Sequence, residues 1–412
     1  MKKTSRRFAL CLVTALSVML PAGGVQADAS LDKDVMIEVK MPEETYTMDD
    51  VCEGLYNQMS FMGSAEKGYD VEEYFASPIG QWNIEHFSKY WEGGDQNDPE
   101  VYAYWESIGM VKHYYEASDE VGEWSIFTPQ ELEEGKLYPT VVVMHMGAQN
   151  IYFAENMGYV EDAAKNDYIV LCVSWDSHNL TDAITAAYEE SGLKHYEAYA
   201  FKTTLEKAEA EYPIDPSRVY VAGFSGVGNA CAYVALEFPE LIAGVSPSTG
   251  VAIQANGLED LAAAKEIGLP FFMFYGEYDA EQRWPLNGTP VELGPAQERT
   301  PTTEERLSYV ESWHEAAGAV QTTTVEDIEE LTASDVLDAT SIFGLHFADT
   351  YEKQYEAMYY FGDMTNSDGQ VVARYMSIEG CPHYVSPEVA GEIYLFFSHF
   401  SRDLSTGALV ID

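Results

Sequence analysis

The chain has 412 residues, 46% of them apolar and 13% aromatic, which is enough for a full core in one large domain with additions or in two domains. Its 69 acidic residues against 22 basic ones leave a formal charge of −47, with the acids dispersed rather than gathered in a tail. Such a surface repels nucleic acid and anionic membranes, excludes both as partners, and favours solubility without naming a substrate.

The first 27 residues carry Lys2, Lys3, Arg6 and Arg7 and no acid. Phe8 to Leu20 is apolar but too short for a comfortable membrane span, and Val25-Gln26-Ala27 meets the small-x-small cleavage rule. Residues 1–27 are therefore expected to be a secretory signal peptide, with the mature chain starting near Asp28 and an extracellular location, free or at the cell wall. No later segment is apolar enough to span a bilayer. Export permits disulfides, but Cys52, Cys172, Cys231 and Cys381 show no C-x-x-C pairing. Cys172, in an apolar strand, and Cys231, in a helix, are expected to be buried thiols. The spacing offers no metal site, and no cofactor is expected.

Residues 28–110 form an N-terminal extension with no steady period. Val35 to Val39 alternates like a strand and Met48 to Met59 is helical; the remainder mixes Tyr, Trp, Gly and Asp. A domain over 111–412 follows. His113 to Ala117 and Glu123 to Thr128 read as a hairpin around Gly122. Thr140 to Met144 is a continuous apolar strand, followed by a helix over Asn156 to Asn166, a strand over Tyr168 to Val173, and helices over Asp182 to Glu190 and His195 to Ala210. Arg218 to Ala222 is a buried strand, and Gly223-Phe224-Ser225-Gly226 is too rich in glycine to continue it. Asn229 to Phe238 is a helix that stops at Pro239. Strands over Ile242 to Val245 and Pro270 to Tyr275 flank a helix over Leu258 to Ile267. Regularity then breaks over 280–350, an insertion with helical runs at Glu304 to Ala317 and Val325 to Leu337. Tyr355 to Phe361 and Val371 to Ile378 are strands. The last helix starts at Ser386 and presents Val389, Ile393, Phe396, Phe397 and Phe400 on one face. Apolar strands alternating with helices predict an α/β architecture, a mostly parallel sheet covered by helices on both faces.

Ligand sites in such sheets lie at the carboxyl ends of the strands, and four strand-end loops carry chemistry. Ser225 sits on a tight strand-to-helix turn between small residues, the nucleophile-elbow pattern. A serine hydroxyl needs a base and an orienting acid. Glu277 and Asp279 follow the strand ending at Tyr275, and His383 follows the strand ending at Ile378, so the chain order is serine, acid, histidine. Of the nine histidines, only His314, His346, His383 and His399 follow the acids. His314 and His399 lie in helices, where packing or surface roles suffice. His346, in the insertion, is a rival base, and His383 alone sits in a loop directly after a strand. Asp279 is preferred as the acid because it lies far enough past the strand to reach back, with Glu277 as the alternative. The backbone N–H groups of Gly226 and of Met146, in the loop after Met144, are the expected oxyanion donors.

Tyr212 to Gly226 (YPIDPSRVYVAGFSG), Pro139 to Asn150 (PTVVVMHMGAQN) and Gly380 to Asp403 closely resemble the elbow, the oxyanion loop and the catalytic-histidine segment of one group of α/β-hydrolases. These are the polyhydroxybutyrate-depolymerase-like and feruloyl or acetyl-xylan-esterase-like enzymes. The resemblance covers roughly residues 110–280 and 350–405. It implies an α/β-hydrolase fold and a secreted serine esterase acting on a small-molecule or polymer ester, with Ser225, Asp279 and His383 as the triad. Val227, Met146 and Ala148 stand where the family pattern has glycine, a departure that an inactive relative would also show. The insertion 280–350 would then cover the site as a lid, with Trp284 and Trp313 shaping the pocket or simply packing. Two alternatives share the fold: a serine peptidase of prolyl-oligopeptidase type, against which the lack of a propeller-like repeat counts, and a non-catalytic binding protein.

Overall fold

The run Val141-Val142-Val143 offers water no polar face, so a strand built on it has to be covered on both sides. In the computed structural model, which describes residues 68–88, 99–144, 151–175, 180–248, 261–276, 278, 311–320, 346–352, 358–383, 385 and 388–412, that strand is buried along its whole length. The signal segment, the elements expected over 35–39, 48–59 and 325–337, Cys52 and Trp284 lie outside the described residues. Among the described residues, no helix is long and apolar enough to cross a membrane.

The main strands are β1 (Met110–Tyr115), β2 (Trp124–Pro129), β3 (Tyr138–Met144), β4 (Ile169–Val173), β5 (Ile214–Phe224), β6 (Gly244–Ser248), β7 (Phe271–Gly276), β8 (His346–Glu352), β9 (Met358–Thr365) and β10 (Val371–Ile378). They form one sheet in the order β1-β2-β4-β3-β5-β6-β7-β10-β9-β8. The six strands from β4 to β10 run parallel, and antiparallel strands close both edges. This is the α/β-hydrolase arrangement, with β5 at the centre and β2 reversed.

Each face of the sheet has its own core. Helices Tyr196–Glu211 and Gly226–Glu237 bury Phe201, Leu205, Ala230 and Val234 on one face, joined by Trp313. Helices Tyr159–Asn166 and Val389–Phe397 cover the other, where Val389, Ile393, Phe396 and Phe397 pack as their spacing predicts. The N-terminal helices Val71–Ala76, Pro78–Ser88 and Pro99–Ser107 send Tyr74, Ile79 and Trp105 into that same second core.

Four local expectations are corrected. β5 does not break at Gly223, because Gly223 and Phe224 pair with Pro247 and Ser248 of β6, and the parallel neighbour holds them extended. The helix expected over Asn156 to Asn166 starts only at Tyr159, because Gly158, with a φ of 91°, caps it and parts it from the preceding turn Tyr152–Glu155. Phe400 is buried but opens a short strand, β11 (Phe400–Arg402), paired with β12 (Leu409–Ile411), since the helix has ended at Phe397. His399 likewise lies beyond the helix and is exposed. Of the two roles left open for Trp313, it takes packing: it lies fully buried against Phe271.

Candidate active site

A strand that ends directly in a helix has to reverse its backbone within one residue, and Ser225 makes that reversal. Its φ of 64° and ψ of −130° lie in a region that L-residues avoid, at a cost of about 1–3 kcal/mol that the surroundings have to offset. Two bonds hold it. The Ser225 N–H donates to the Ser248 carbonyl at 3.1 Å, and the Ser225 carbonyl accepts from the Gly228 N–H at 2.9 Å. The helix Gly226–Glu237 starts at the next residue, so the Gly226 amide is among the first-turn donors that have no partner within the helix.

Ser248 was not singled out by sequence. β6 and β7 share a single ladder pair, Val245 with Phe271. Pro247 has no N–H to extend that ladder. The Ser248 hydroxyl accepts the Phe274 N–H at 3.1 Å instead and bonds the Ser246 hydroxyl at 2.8 Å. One residue thus ties the elbow to β7. The signal was the Ser-Pro-Ser run at the end of an otherwise apolar strand.

His383 is brought to Ser225 across 158 residues of sequence, its Nε2 lying 2.7 Å from Ser225 Oγ. Both groups are nearly sealed from solvent, at 1% and 2% exposure. The imidazole stacks on Phe224, with ring centres 4.8 Å apart. β10 lies parallel to β7 with Ile378 opposite Gly276, so the loops that follow leave the sheet side by side. They cross closely. A Cβ on Gly276 would stand 2.2 Å from the Pro382 carbonyl oxygen and 2.3 Å from that of Cys381, so only glycine fits. The Tyr278 N–H donates to the Cys381 carbonyl at 2.9 Å. The loop that carries both candidate acids is thereby bonded two residues before His383. Glu277 and Asp279 themselves lie outside the described residues, as do His145, Met146 and the rest of 145–150.

Two of the later histidines stand apart. His346 opens β8 and, through β9 and β10, is level with Phe272, well before the carboxyl end of β7. His314 is buried and bonds the Tyr375 hydroxyl at 2.7 Å while stacking on Phe271, which is a packing role. Cys172 and Cys231 are free, buried thiols, as expected, and Cys381 is buried as well. Burial pushes the thiols of Cys172 and Cys231 up, away from nucleophilic chemistry.

A second buried network went unnoticed in the sequence. Lys112 Nζ lies 2.7 Å from Glu155 Oε2, with both side chains fully buried, and Ser125 Oγ donates to Glu155 Oε1 at 2.7 Å. Glu155 belongs to the helical turn that follows residues 145–150, so the pair pins the far end of that loop to β1 and β2.

No protein-family profile matches the chain. A stretch of 114 residues is 27% identical to poly(3-hydroxyalkanoate) depolymerase C of Paucimonas lemoignei, covering 27% of this chain and 28% of that protein. The chain resembles esterases of the α/β-hydrolase fold. The matched stretch spans little more than a quarter of the curated relative. Among solved structures, an acetyl xylan esterase from Aspergillus awamori aligns over 70% of this chain and 98% of its own, at 13% identity and a TM-score of 0.41. A thermostable esterase aligns over 51% and 52% at 20% identity and a TM-score of 0.34.

Proposed function

We propose that the chain is a secreted serine hydrolase that cleaves carboxylic esters through an acyl-enzyme. The observation that carries this is the 2.7 Å contact between His383 Nε2 and Ser225 Oγ, made where the serine occupies a strained elbow. His383 accepts the hydroxyl proton as Oγ attacks the acyl carbonyl. The oxyanion takes N–H donors from Gly226 and from Met146. As the tetrahedral adduct collapses, His383 returns the proton to the departing alcohol and leaves an ester on Ser225. Water, deprotonated by the same imidazole, then releases the acid and restores the serine. Asp279 orients the imidazole, with Glu277 as the alternative acid; the bond from Tyr278 to Cys381 supports either by holding their loop beside the histidine.

The stretch similar to a polyhydroxyalkanoate depolymerase supports an ester substrate, small or polymeric. The basic, apolar and small-x-small order of residues 1–27 supports export. The test is hydrolysis of a short-chain nitrophenyl ester. Wild type turns over, and Ser225→Ala loses roughly 10⁶-fold in kcat. Equal, slow turnover by both proteins would end the proposal.

A further inference from the structure

The mechanism above makes no use of the N-terminal extension, yet its segment 69–88 touches the loops that carry the base and the acid. Asn83, on the helix Pro78–Ser88, is 2% exposed. Its Nδ2 donates to the Val385 carbonyl at 3.2 Å across 302 residues, and to the Tyr74 hydroxyl at 2.5 Å. Just before the helix Val71–Ala76, the Tyr69 ring packs on Tyr278, with centres 5.8 Å apart, and on Tyr74 at 6.1 Å. Tyr278 is the residue whose N–H holds the Cys381 carbonyl. The same segment therefore bears on the base loop from both sides. It meets Val385 directly, two residues after His383, and reaches Cys381, two residues before it, through Tyr278. Tyr74 and Ile79 share their core with Cys381 and Val385, which seats the segment firmly.

We infer that Asn83 is a positioning residue for His383, and that the segment 69–88 is a brace that completes the catalytic loop rather than a separate module. This rests on the reading of Ser225 and His383 as nucleophile and base. Cys381, Pro382, His383 and Val385 lie between the end of β10 and the start of the last helix, so their carbonyls need partners from elsewhere. A buried amide donor fixes the peptide of Val385 and, through it, the angle at which the imidazole meets Ser225. A displacement of about 1 Å in such a pair is enough to cost on the order of 10²-fold in rate.

The test uses the full chain and three proteins. Asn83→Asp keeps the shape but removes the donor. Ile79→Val trims the same segment, leaves the hydrogen bond to Val385 in place and controls for packing loss. On a short nitrophenyl ester, Asn83→Asp is expected to lose roughly 10- to 100-fold in kcat with KM within about twofold, and to label with a fluorophosphonate more slowly by a similar factor. Hydrogen–deuterium exchange of the peptide spanning 381–388 is expected to quicken in Asn83→Asp and not in Ile79→Val. Wild-type kcat and exchange in Asn83→Asp, or an equal loss in Ile79→Val, overturns the inference. If wild type neither hydrolyses nor labels, the esterase reading falls. Exchange then judges the brace by itself: quickened in Asn83→Asp supports it and unchanged overturns it.

Discussion

Ser225 and Gly276 carry opposite kinds of constraint. Ser225 is a residue with a side chain held where glycine is at ease, because its hydroxyl has to stand above the end of β5. Gly276 has an ordinary place at the end of β7, and its constraint comes from the space beside it. Backbone carbonyls of Cys381 and Pro382 fill the position of its missing Cβ, and backbone cannot swing aside as the tip of a long side chain can. Gly276→Ala therefore forces the base loop away from β7. We expect a stability loss of about 1–3 kcal/mol in denaturant melts, as for other overpacked sites, and a fall in esterase kcat larger than that loss explains at a temperature where the variant is fully folded. A variant with native kcat and native melting would show that the loops do not cross as closely as drawn.

At the scale of elements, the site is held by contacts between pieces that are far apart in sequence. The pair Lys112–Glu155 shows how such contacts are energised. Two fully buried charges cost desolvation that their mutual attraction and the Ser125 bond only offset, so the pair adds little net stability while intact. Removing one partner leaves a bare charge inside. Lys112→Met is expected to destabilise by about 3–5 kcal/mol, and Lys112→Met with Glu155→Leu to recover most of it. A double-mutant cycle in urea checks this, and additive losses would contradict it. Legibility in the sequence follows from the same distinction. β3 to β7 were readable because runs such as Val141-Val142-Val143 report burial locally. Ser225 and His383 were readable because a glycine-flanked turn and a strand-end loop are local patterns. Asn83, Lys112, Glu155 and Gly276 carried no such mark, since each is defined by a partner that lies dozens to hundreds of residues away. The helices over 71–107 were missed for a related reason. Their tyrosines and tryptophans pack singly into the second core, through Tyr74 and Trp105, and give no sustained period.

The whole molecule is strongly acidic, and carboxyls partly withdrawn from water set how it responds to pH. Burial pushes the carboxyl of Asp162 up, against the bonds it receives from Asn166 and Tyr168. Burial does the same to Glu197. These groups hold protons in the folded state at pH values where the unfolded chain has lost them. Stability therefore falls as pH rises from about 4, the ordinary carboxylate range, through their raised values. Asp215 and Asp403 act in the other direction. Burial would raise Asp215, but the bonds from Ser217 and Arg218 outweigh it, and the Ser405 hydroxyl holds Asp403 low. Their contribution is present above about pH 4 and is lost as pH falls through their lowered values. The two sets together place the stability maximum in mild acid. Self-repulsion at a charge of −47 works in the same sense and, unlike the burial effect, is screened by salt. The melting temperature is therefore expected to be higher at about pH 5 than at about pH 8, with 0.5 M salt narrowing the gap without closing it. Glu197→Gln should narrow it further, by raising the melting temperature more at the higher pH than at the lower. A melting temperature that rises from pH 5 to pH 8, or a gap that salt abolishes, would place the control of stability at the surface and not in these half-buried carboxyls.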